Sequence, residues 1–262
     1  MHNPMTMDDR VIMITGGGQG IGRALAEQLL SQDARVALVD INADTLAETR
    51  NDLLRAGIGE HRLRSYCGDI SNVDFVTTTV QQIVADFGDL YGLINNAGII
   101  RAAMASEMSI DQWQQVLNVN LSGAFVCLQA VGNHLIEKAK NGDPNPGSIV
   151  NISSDAGRRG TIGQINYGAA KSGVLGLTMC SAREWGKFNI NVNSVCYGMV
   201  ETTMTETIRQ EKFRDKYLSQ IPLQRFSSTE EVAPATCFLL TEAAAYITGQ
   251  HLSIDGGFYM SS

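Results

Sequence analysis

Short apolar runs alternate along the chain with longer stretches in which apolar residues recur every three or four positions. The short runs lie at 11–15, 35–39, 62–66, 91–94, 148–152, 190–195 and 252–254, and they predict strands. The longer stretches, near 20–31, 43–56, 72–86, 109–138, 166–186 and 229–240, predict amphipathic helices. Strands alternating with helices imply a parallel sheet covered on both faces, and near-continuous apolar strands fit burial on both sides. No internal repeat or long linker interrupts the pattern. The loop-rich break from Asn141 to Gly147 separates a helix from a strand and is too short to divide domains. The expected fold is one α/β domain over residues 1–262, Rossmann-like and doubly wound, with a seven-stranded, mainly parallel sheet.

Length agrees with this pattern. The chain has 262 residues, and α/β folds often run to about 250 residues as one domain. Apolar residues make up 44% and charged residues 18%, the balance of a folded globular chain rather than a disordered one. Net charge is −7 and no basic run exceeds Arg158-Arg159, which argues against a nucleic-acid partner. No apolar stretch reaches the ~18 residues of a membrane span. The polar start, MHNPMTMDDR, carries no signal-peptide pattern. Five scattered cysteines without a C-x-x-C, and four distant histidines, suggest neither disulfides nor a metal site. Cytoplasmic location is expected.

The first strand runs into Thr15-Gly16-Gly17-Gly18-Gln19-Gly20-Ile21-Gly22 and then a helix. Glycines at 16, 20 and 22 allow a tight turn that brings backbone N–H groups to a pyrophosphate, and the helix N-terminus adds partial positive charge. Gly16, Gln19, Gly20 and Ile21 are therefore candidate cofactor contacts. Asp40 ends the second strand, where a carboxylate can accept from both adenosine ribose hydroxyls and repel the 2′-phosphate of NADP. No Arg or Lys stands at Gln19 or Ile41 to welcome that phosphate. Asp40 thus points to NAD; a helix-capping role is the plainer alternative.

Tyr167 and Lys171 are four residues apart and share a helix face. A nearby ammonium favours phenolate, so the Tyr167 pKa is expected to fall from ~10 toward neutrality. Ser154 lies 13 residues upstream of Tyr167, just past an apolar strand, and Asn120 sits in Asn118-Val119-Asn120-Leu121-Ser122-Gly123.

With these pieces in place the sequence resembles the short-chain dehydrogenase/reductase family over essentially its whole length. The matching elements are the glycine turn 15–22, Asp69, Asn95-Asn96-Ala97-Gly98, Asn120, Ser154, Tyr167 with Lys171, the strand at 191–195, Thr202 and Asp255-Gly256-Gly257. The resemblance implies that Tyr167 is the acid/base, Ser154 orients the substrate oxygen, and Lys171 binds the nicotinamide ribose and lowers the Tyr167 pKa. It implies that Asn120 holds a water in a proton relay. It assigns Asp69 and Ile70 to adenine, Asn96, Ala97 and Gly98 to the cofactor's flank, and Val200 and Thr202 to the carboxamide. It also implies a homotetramer built through the helices at 109–138 and 166–186 and the C-terminal segment.

Two positions depart from the family pattern. Tyr197 replaces the usual proline beside the nicotinamide, and Phe226 stands where glycine is common. The Tyr197 ring either lines the substrate pocket or is a packing substitution. Arg101, Ala156, Gln164, Tyr197 and Met204 are the substrate-pocket candidates. Arg101, Arg158 and Arg159 either recognise an anionic group or are solvated or paired between subunits. Met104, Met199, Met204, Ile208 and Phe213 are expected to line or cover an apolar cavity, with 199–220 as the substrate loop.

The leading expectation is an NAD-dependent dehydrogenase interconverting a small-molecule secondary alcohol and its ketone, with an aryl-alkyl carbinol suggested by the pocket. The alternative is a 3-oxoacyl-thioester reductase acting on acyl carrier protein or CoA substrates with NADPH, which Gly163–Tyr167 and the Asp-Gly-Gly ending resemble. A non-enzymatic dinucleotide-binding regulator is disfavoured, because Asn120, Ser154, Tyr167 and Lys171 are all kept.

Overall fold

Seven strands are formed: β1 (Val11–Thr15), β2 (Arg35–Asp40), β3 (Leu63–Cys67), β4 (Gly92–Asn95), β5 (Gly147–Ser154), β6 (Ile190–Tyr197) and β7 (His251–Ile254). They make one sheet in the order β3-β2-β1-β4-β5-β6-β7. Every pairing within it is parallel, stricter than the mainly parallel sheet expected from sequence. The structure is a computed structural model and describes residues 3–260, without the side chains of residues 207, 208 and 213. The side chains of Ile208 and Phe213, expected over the pocket, therefore lie outside the described residues.

The main helices cover both faces. On one side α1 (Gly20–Ser31), α2 (Ala43–Arg55) and α10 (Thr229–Phe238) pack with Leu25, Leu29, Leu46 and Val232 against Ile12, Ile14, Val36 and Val150. On the other, α3 (Val73–Phe87), α5 (Ala124–Lys140) and α7 (Ile165–Trp185) pack with Val80, Ile83, Leu128 and Ala182 against Val11, Met13, Leu93 and Ile149. Alternate residues of the inner strands feed opposite cores, which is why β1, β2 and β4 read as near-continuous apolar runs, whereas the edge strands β3 and β7 are part-exposed and more polar. Local chemistry sets the helix starts. Asn42 accepts from the Asp44 and Thr45 N–H groups to begin α2. Ser109 and Gln112 form a reciprocal capping box at the start of α4 (Ile110–Leu117).

The helix expected over 109–138 is interrupted. A π-helical turn, Asn118–Gly123, separates α4 from α5. The run Ile110–Lys140 is long and apolar enough, by length and composition alone, to cross a membrane. Its apolar residues Cys127, Leu128, Val131 and Leu135 are spent on the core beneath the sheet.

Three short helices were not apparent from periodicity: α6 (Ala156–Arg159), α8 (Glu206–Arg209) and α9 (Glu211–Leu218). The last two lie in the loop between β6 and α10. That loop is closed at its root by a bridge between Val200 and Ser227. There the Glu201 N–H donates to the Ser227 carbonyl at 2.9 Å and the Ser227 N–H donates to the Met199 carbonyl at 3.1 Å.

Candidate active site

β1 has β2 on one side and β4 on the other, so the chain's winding reverses between β1 and β4 and opens a crevice at the strands' carboxyl ends. The glycine turn, Asp40, Asp69, Asn96, Ser154 and Thr202 all follow the ends of neighbouring strands, at this rim.

The turn after β1 is built for close backbone approach. A Cβ on Gly22 would stand 2.0 Å from the Gly16 carbonyl oxygen, and one on Gly16 would stand 2.9 Å from the Ala97 Cα. Gly16 and Gly20 also adopt φ of +67° and +54°, a region that favours glycine. Thr15 Oγ1 accepts from the Asn96 and Ala97 N–H groups at 3.0 and 3.1 Å, and Asn96 Nδ2 donates to the Thr15 carbonyl at 3.0 Å. The segment after β4 is thereby locked onto the glycine turn. Unlike α2 and α4, α1 starts at Gln19 with no side-chain cap and no acid in its first turn. Its first N–H groups are thus open to an anion.

Asp40 Oδ2 accepts from the Gly18 N–H at 2.9 Å and Oδ1 from the Asn42 N–H at 3.0 Å. Ile41 beside it is 69% exposed and supplies no cation. Asp69 Oδ1 accepts from the Ser71 N–H at 2.8 Å. The Ile70 side chain is buried, with Cδ1 3.0 Å from where a Cβ on Gly123 would lie, so only its backbone is left for an adenine. Thr202 Cγ2 would lie 3.7 Å from a Cβ on Gly20, which brings the substrate loop against the glycine turn. Val200 is buried, and its carbonyl accepts from Thr205 Oγ1 at 2.6 Å. A nicotinamide dinucleotide fits this cradle: bare amides for phosphate, a carboxylate at the second strand end, and glycines where any Cβ would fill the space.

The second cluster lies at the end of β5. Tyr167 interacts with the Ser154 hydroxyl, and Lys171 Nζ lies 5.7 Å from the Tyr167 ring centre. Ser154 Oγ is oriented by the Ala156 N–H, which donates to it at 3.2 Å. Lys171 is buried, donates from Nζ to the Ile152 carbonyl at 2.7 Å, and is held by a bond from Ser153 Oγ to its own carbonyl at 2.8 Å. Burial brings the Lys171 ammonium down to about 8. The expected lowering of the Tyr167 pKa does not occur in this geometry. Burial pushes Tyr167 up to about 12, opposed only by its bond with Ser154. Desolvation of the phenolate dominates, because the Lys171 ammonium is bonded to the Ile152 carbonyl rather than to the phenol.

Asn120 is 1% exposed and sits in the π turn. Both polar atoms of its side chain are engaged with the Ile99 main chain: Oδ1 accepts from the Ile99 N–H at 2.8 Å and Nδ2 donates to the Ile99 carbonyl at 3.0 Å, which leaves one lone pair and one N–H of the amide. A π turn inserts one residue into the helical bonding pattern, a common device at functional sites.

The pocket candidates divide. Gln164 pairs with Ala103 in a short parallel bridge just before α7, which carries Tyr167. Met104 and Met204 are 52% and 47% exposed. Ala156 is buried and serves through its N–H. Arg101 is exposed and donates to Gln115 Oε1 at 3.0 Å and to the Ile100 carbonyl at 2.9 Å. Tyr197 does not line the pocket. Its ring is buried in the core against α10, and its hydroxyl meets Thr236 Oγ1 at 2.7 Å. Phe226 is likewise buried. Arg158 is half-buried and Arg159 exposed, and both are engaged within the chain. Arg158 bonds Ser253 and the His251 carbonyl, and Arg159 bonds Gln220 and the Phe258 carbonyl.

One positioning residue escaped the sequence reading. Asn166 is fully buried; its Nδ2 donates to the Arg101 and Gln112 carbonyls at 3.0 and 3.1 Å, and its Oδ1 accepts from the Tyr167 N–H at 2.8 Å. An amide directly before the candidate acid/base was its only signal.

A family model described as enoyl-(acyl carrier protein) reductase matches residues 16–259. A 3-oxoacyl-[acyl-carrier-protein] reductase of Thermotoga maritima is 39% identical over 97% of this chain and 99% of its own length. A (3R)-3-hydroxyacyl-CoA dehydrogenase of Canis lupus familiaris is 36% identical over 99% of this chain and 100% of its own. Among solved structures, levodione reductase superposes with a TM-score of 0.89 at 31% identity, covering 96% of this chain and 98% of its own.

Proposed function

We propose a specific reaction for a chain that belongs to the short-chain dehydrogenase/reductase family: NAD(H)-dependent interconversion of a secondary alcohol and its ketone. The observation that carries the cofactor half is Asp40. Its carboxylate stands on the Gly18 and Asn42 N–H groups, and among the described residues no arginine or lysine bonds it. A 2′-phosphate would meet that negative charge, whereas two ribose hydroxyls could donate to it. Gly16, Gln19, Gly20 and Ile21 would cradle the pyrophosphate, with Asp69, Asn96, Ala97, Gly98 and Thr202 along its flanks.

The chemical half rests on Ser154, Tyr167 and Lys171. When bound, the nicotinamide accepts or donates the hydride. In reduction the Tyr167 phenol gives its proton to the carbonyl oxygen as the hydride reaches the carbon, and Ser154 holds that oxygen in line. The tyrosinate left behind is stabilised by the Lys171 charge and regains a proton by way of Asn120 in the π turn. Oxidation runs the same steps backwards. A phenol held up to about 12 by burial carries its proton at neutral pH and can donate it to a carbonyl oxygen.

The substrate is a small ketone or carbinol admitted beside Gln164, Met104 and Met204. The aryl-alkyl refinement loses one support, because the Tyr197 ring packs on Thr236 instead. A second reading, reduction of a 3-oxoacyl thioester, is favoured by the names of the curated relatives above. Self-association through α4, α5 and α7 is also proposed, since Phe125 and Met179 remain 44% and 46% exposed there.

Absorbance at 340 nm tests the reading with NADH and NADPH, each against acetophenone and acetoacetyl-CoA. NADH should outperform NADPH in kcat/KM by at least ~10-fold, the scale of one lost charge-assisted contact. Preference for NADPH, with turnover of the thioester alone, would establish the second reading instead.

A further inference from the structure

Asp155 follows Ser154 directly and leads into α6. It is 3% exposed, and no N–H or hydroxyl donor reaches either carboxyl oxygen; the group against it is the Asp255 carboxyl. An ionised carboxylate left in that state is costly. Its neighbour Asp255 is braced by the main chain and keeps further lone pairs: Oδ1 accepts from the Gly257 N–H and Oδ2 from the Tyr259 N–H, both at 2.8 Å. Burial first, then the Asp255 charge and the hydrogen bond with its carboxyl, push Asp155 up to about 7, against the pull of Arg158 and Arg159.

The charged and titratable groups facing Asp155 are few. Asp255 comes from the segment after β7, Arg158 and Arg159 from α6, and Cys196 from β6. The two arginines are engaged elsewhere. Arg158 donates to Ser253 Oγ at 2.7 Å and to the His251 carbonyl at 2.6 Å. Arg159 stacks 3.8 Å from the Phe258 ring centre and donates to Gln220 Oε1 at 3.1 Å.

These bonds make Asp155 a junction. Its own N–H donates to the Tyr197 carbonyl at 3.1 Å, and its carbonyl accepts from the Arg158 and Arg159 N–H groups at 3.0 and 2.9 Å. The C-terminal segment beside it meets the base of the substrate loop, where the Leu223 N–H donates to the Gly256 carbonyl at 3.2 Å. Ser154, the C-terminal segment and the substrate loop therefore converge on one acid pair, Asp155 buried and Asp255 half-buried.

We propose that Asp155 is a positioning residue: as a neutral acid against the Asp255 carboxylate it holds Ser154, residues 255–259 and the base of the substrate loop in register, and its ionisation loosens that junction. The proton lost on ionisation goes to solvent. Two carboxylates then face each other inside the fold, and the loop base separates from the strand that carries Ser154.

Asp155→Asn keeps the shape and cannot ionise. An acid whose folded pKa is raised above its unfolded value of 3.8 contributes stability at low pH that is lost as pH rises through about 7. Wild-type Tm should therefore fall relative to that of Asp155→Asn between pH 5.5 and 8.5. At pH 8.5 the variant should be the more stable by roughly 3–6 °C. Wild-type KM for acetophenone or acetoacetyl-CoA should rise several-fold over the same range, and the variant's should stay flat. The pH profile of kcat, set by Tyr167 and Lys171, should be alike in both.

Parallel Tm and KM profiles for the two proteins would overturn the proposal, as would a variant destabilised equally at both pH values. If Asp155→Asn fails to fold, infrared titration of wild type decides: one carboxylic acid must lose its proton near neutrality, and its absence is fatal. The kinetic arm rests on the function proposed above, whereas the Tm and infrared arms need no substrate. Inactivity with every ketone alongside the expected Tm profile would therefore count against that function alone.

Discussion

The Gly18 N–H donates to Asp40 Oδ2 at 2.9 Å, so the glycine turn and the acid at the end of β2 form one hydrogen-bonded unit. Asp40→Ala would remove both the ribose acceptor and a brace of the turn. NADH affinity should fall about 10–100-fold, the value of 1.5–3 kcal/mol for bonds to a charged group. NADPH affinity should fall less or rise. Fluorescence titration with both dinucleotides checks this, and an equal loss for both would mean that Asp40 only braces the turn.

Tyr167→Phe deletes the proposed proton carrier and leaves the Thr15, Asn96 and Lys171 bonds untouched. The expected result is a fall in kcat of at least ~10²-fold with NADH affinity unchanged. A variant that retains a tenth or more of wild-type turnover excludes Tyr167 as the proton carrier.

Lys171 offers a pH test. Its folded pKa, about 8, lies below the ordinary 10.5, so the unfolded chain holds more protons between those values and folded stability rises with pH across them. Lys171→Met should lose that rise along with turnover and NADH affinity. The Tm of wild type minus that of the variant should grow by roughly 5–10 °C from pH 7 to pH 10. A constant gap would show that the ammonium is better solvated than its burial implies.

Tyr197 and Thr236 form a buried hydroxyl pair, and Thr236 Oγ1 also donates to the Val232 carbonyl at 2.9 Å. Tyr197→Phe should lower stability by about 1 kcal/mol, the net worth of one such bond. The ratio of kcat/KM for an aryl and an alkyl ketone should not move. A changed ratio would return Tyr197 to the substrate pocket.

Most of the frame was legible because strands buried on both faces read as apolar runs, and helices with one covered side repeat every three or four residues. Boundaries fell within a residue or two for β1, α1 and α2. The π turn escaped because Asn118–Gly123 continues the rhythm of the helices on either side, and a wider main-chain bonding turn leaves no mark in residue type. Helices α8 and α9 escaped because they are short and carry no continuous apolar stripe. At the site, Ser154, Tyr167 and Lys171 could be read from spacing, whereas the direction of a side chain could not. Tyr197 ends β6 on the α10 side, a fact of strand parity and register rather than residue type. The sign of the Tyr167 shift was misjudged for a related reason: spacing gives proximity to Lys171, but desolvation depends on everything else around the phenol.

The bridge between Val200 and Ser227 has a consequence for how such a chain could acquire a new substrate. Residues 201–226 leave and rejoin the body at adjacent points, so the segment behaves as an insert whose closure cost is fixed at its root. That cost grows only with the logarithm of length, about 0.6 kcal/mol for each doubling. A longer or shorter insert could be grafted between the same two residues at little expense to the sheet. The acid/base cluster and the dinucleotide cradle would stay where they are, and only the roof over the ketone would change.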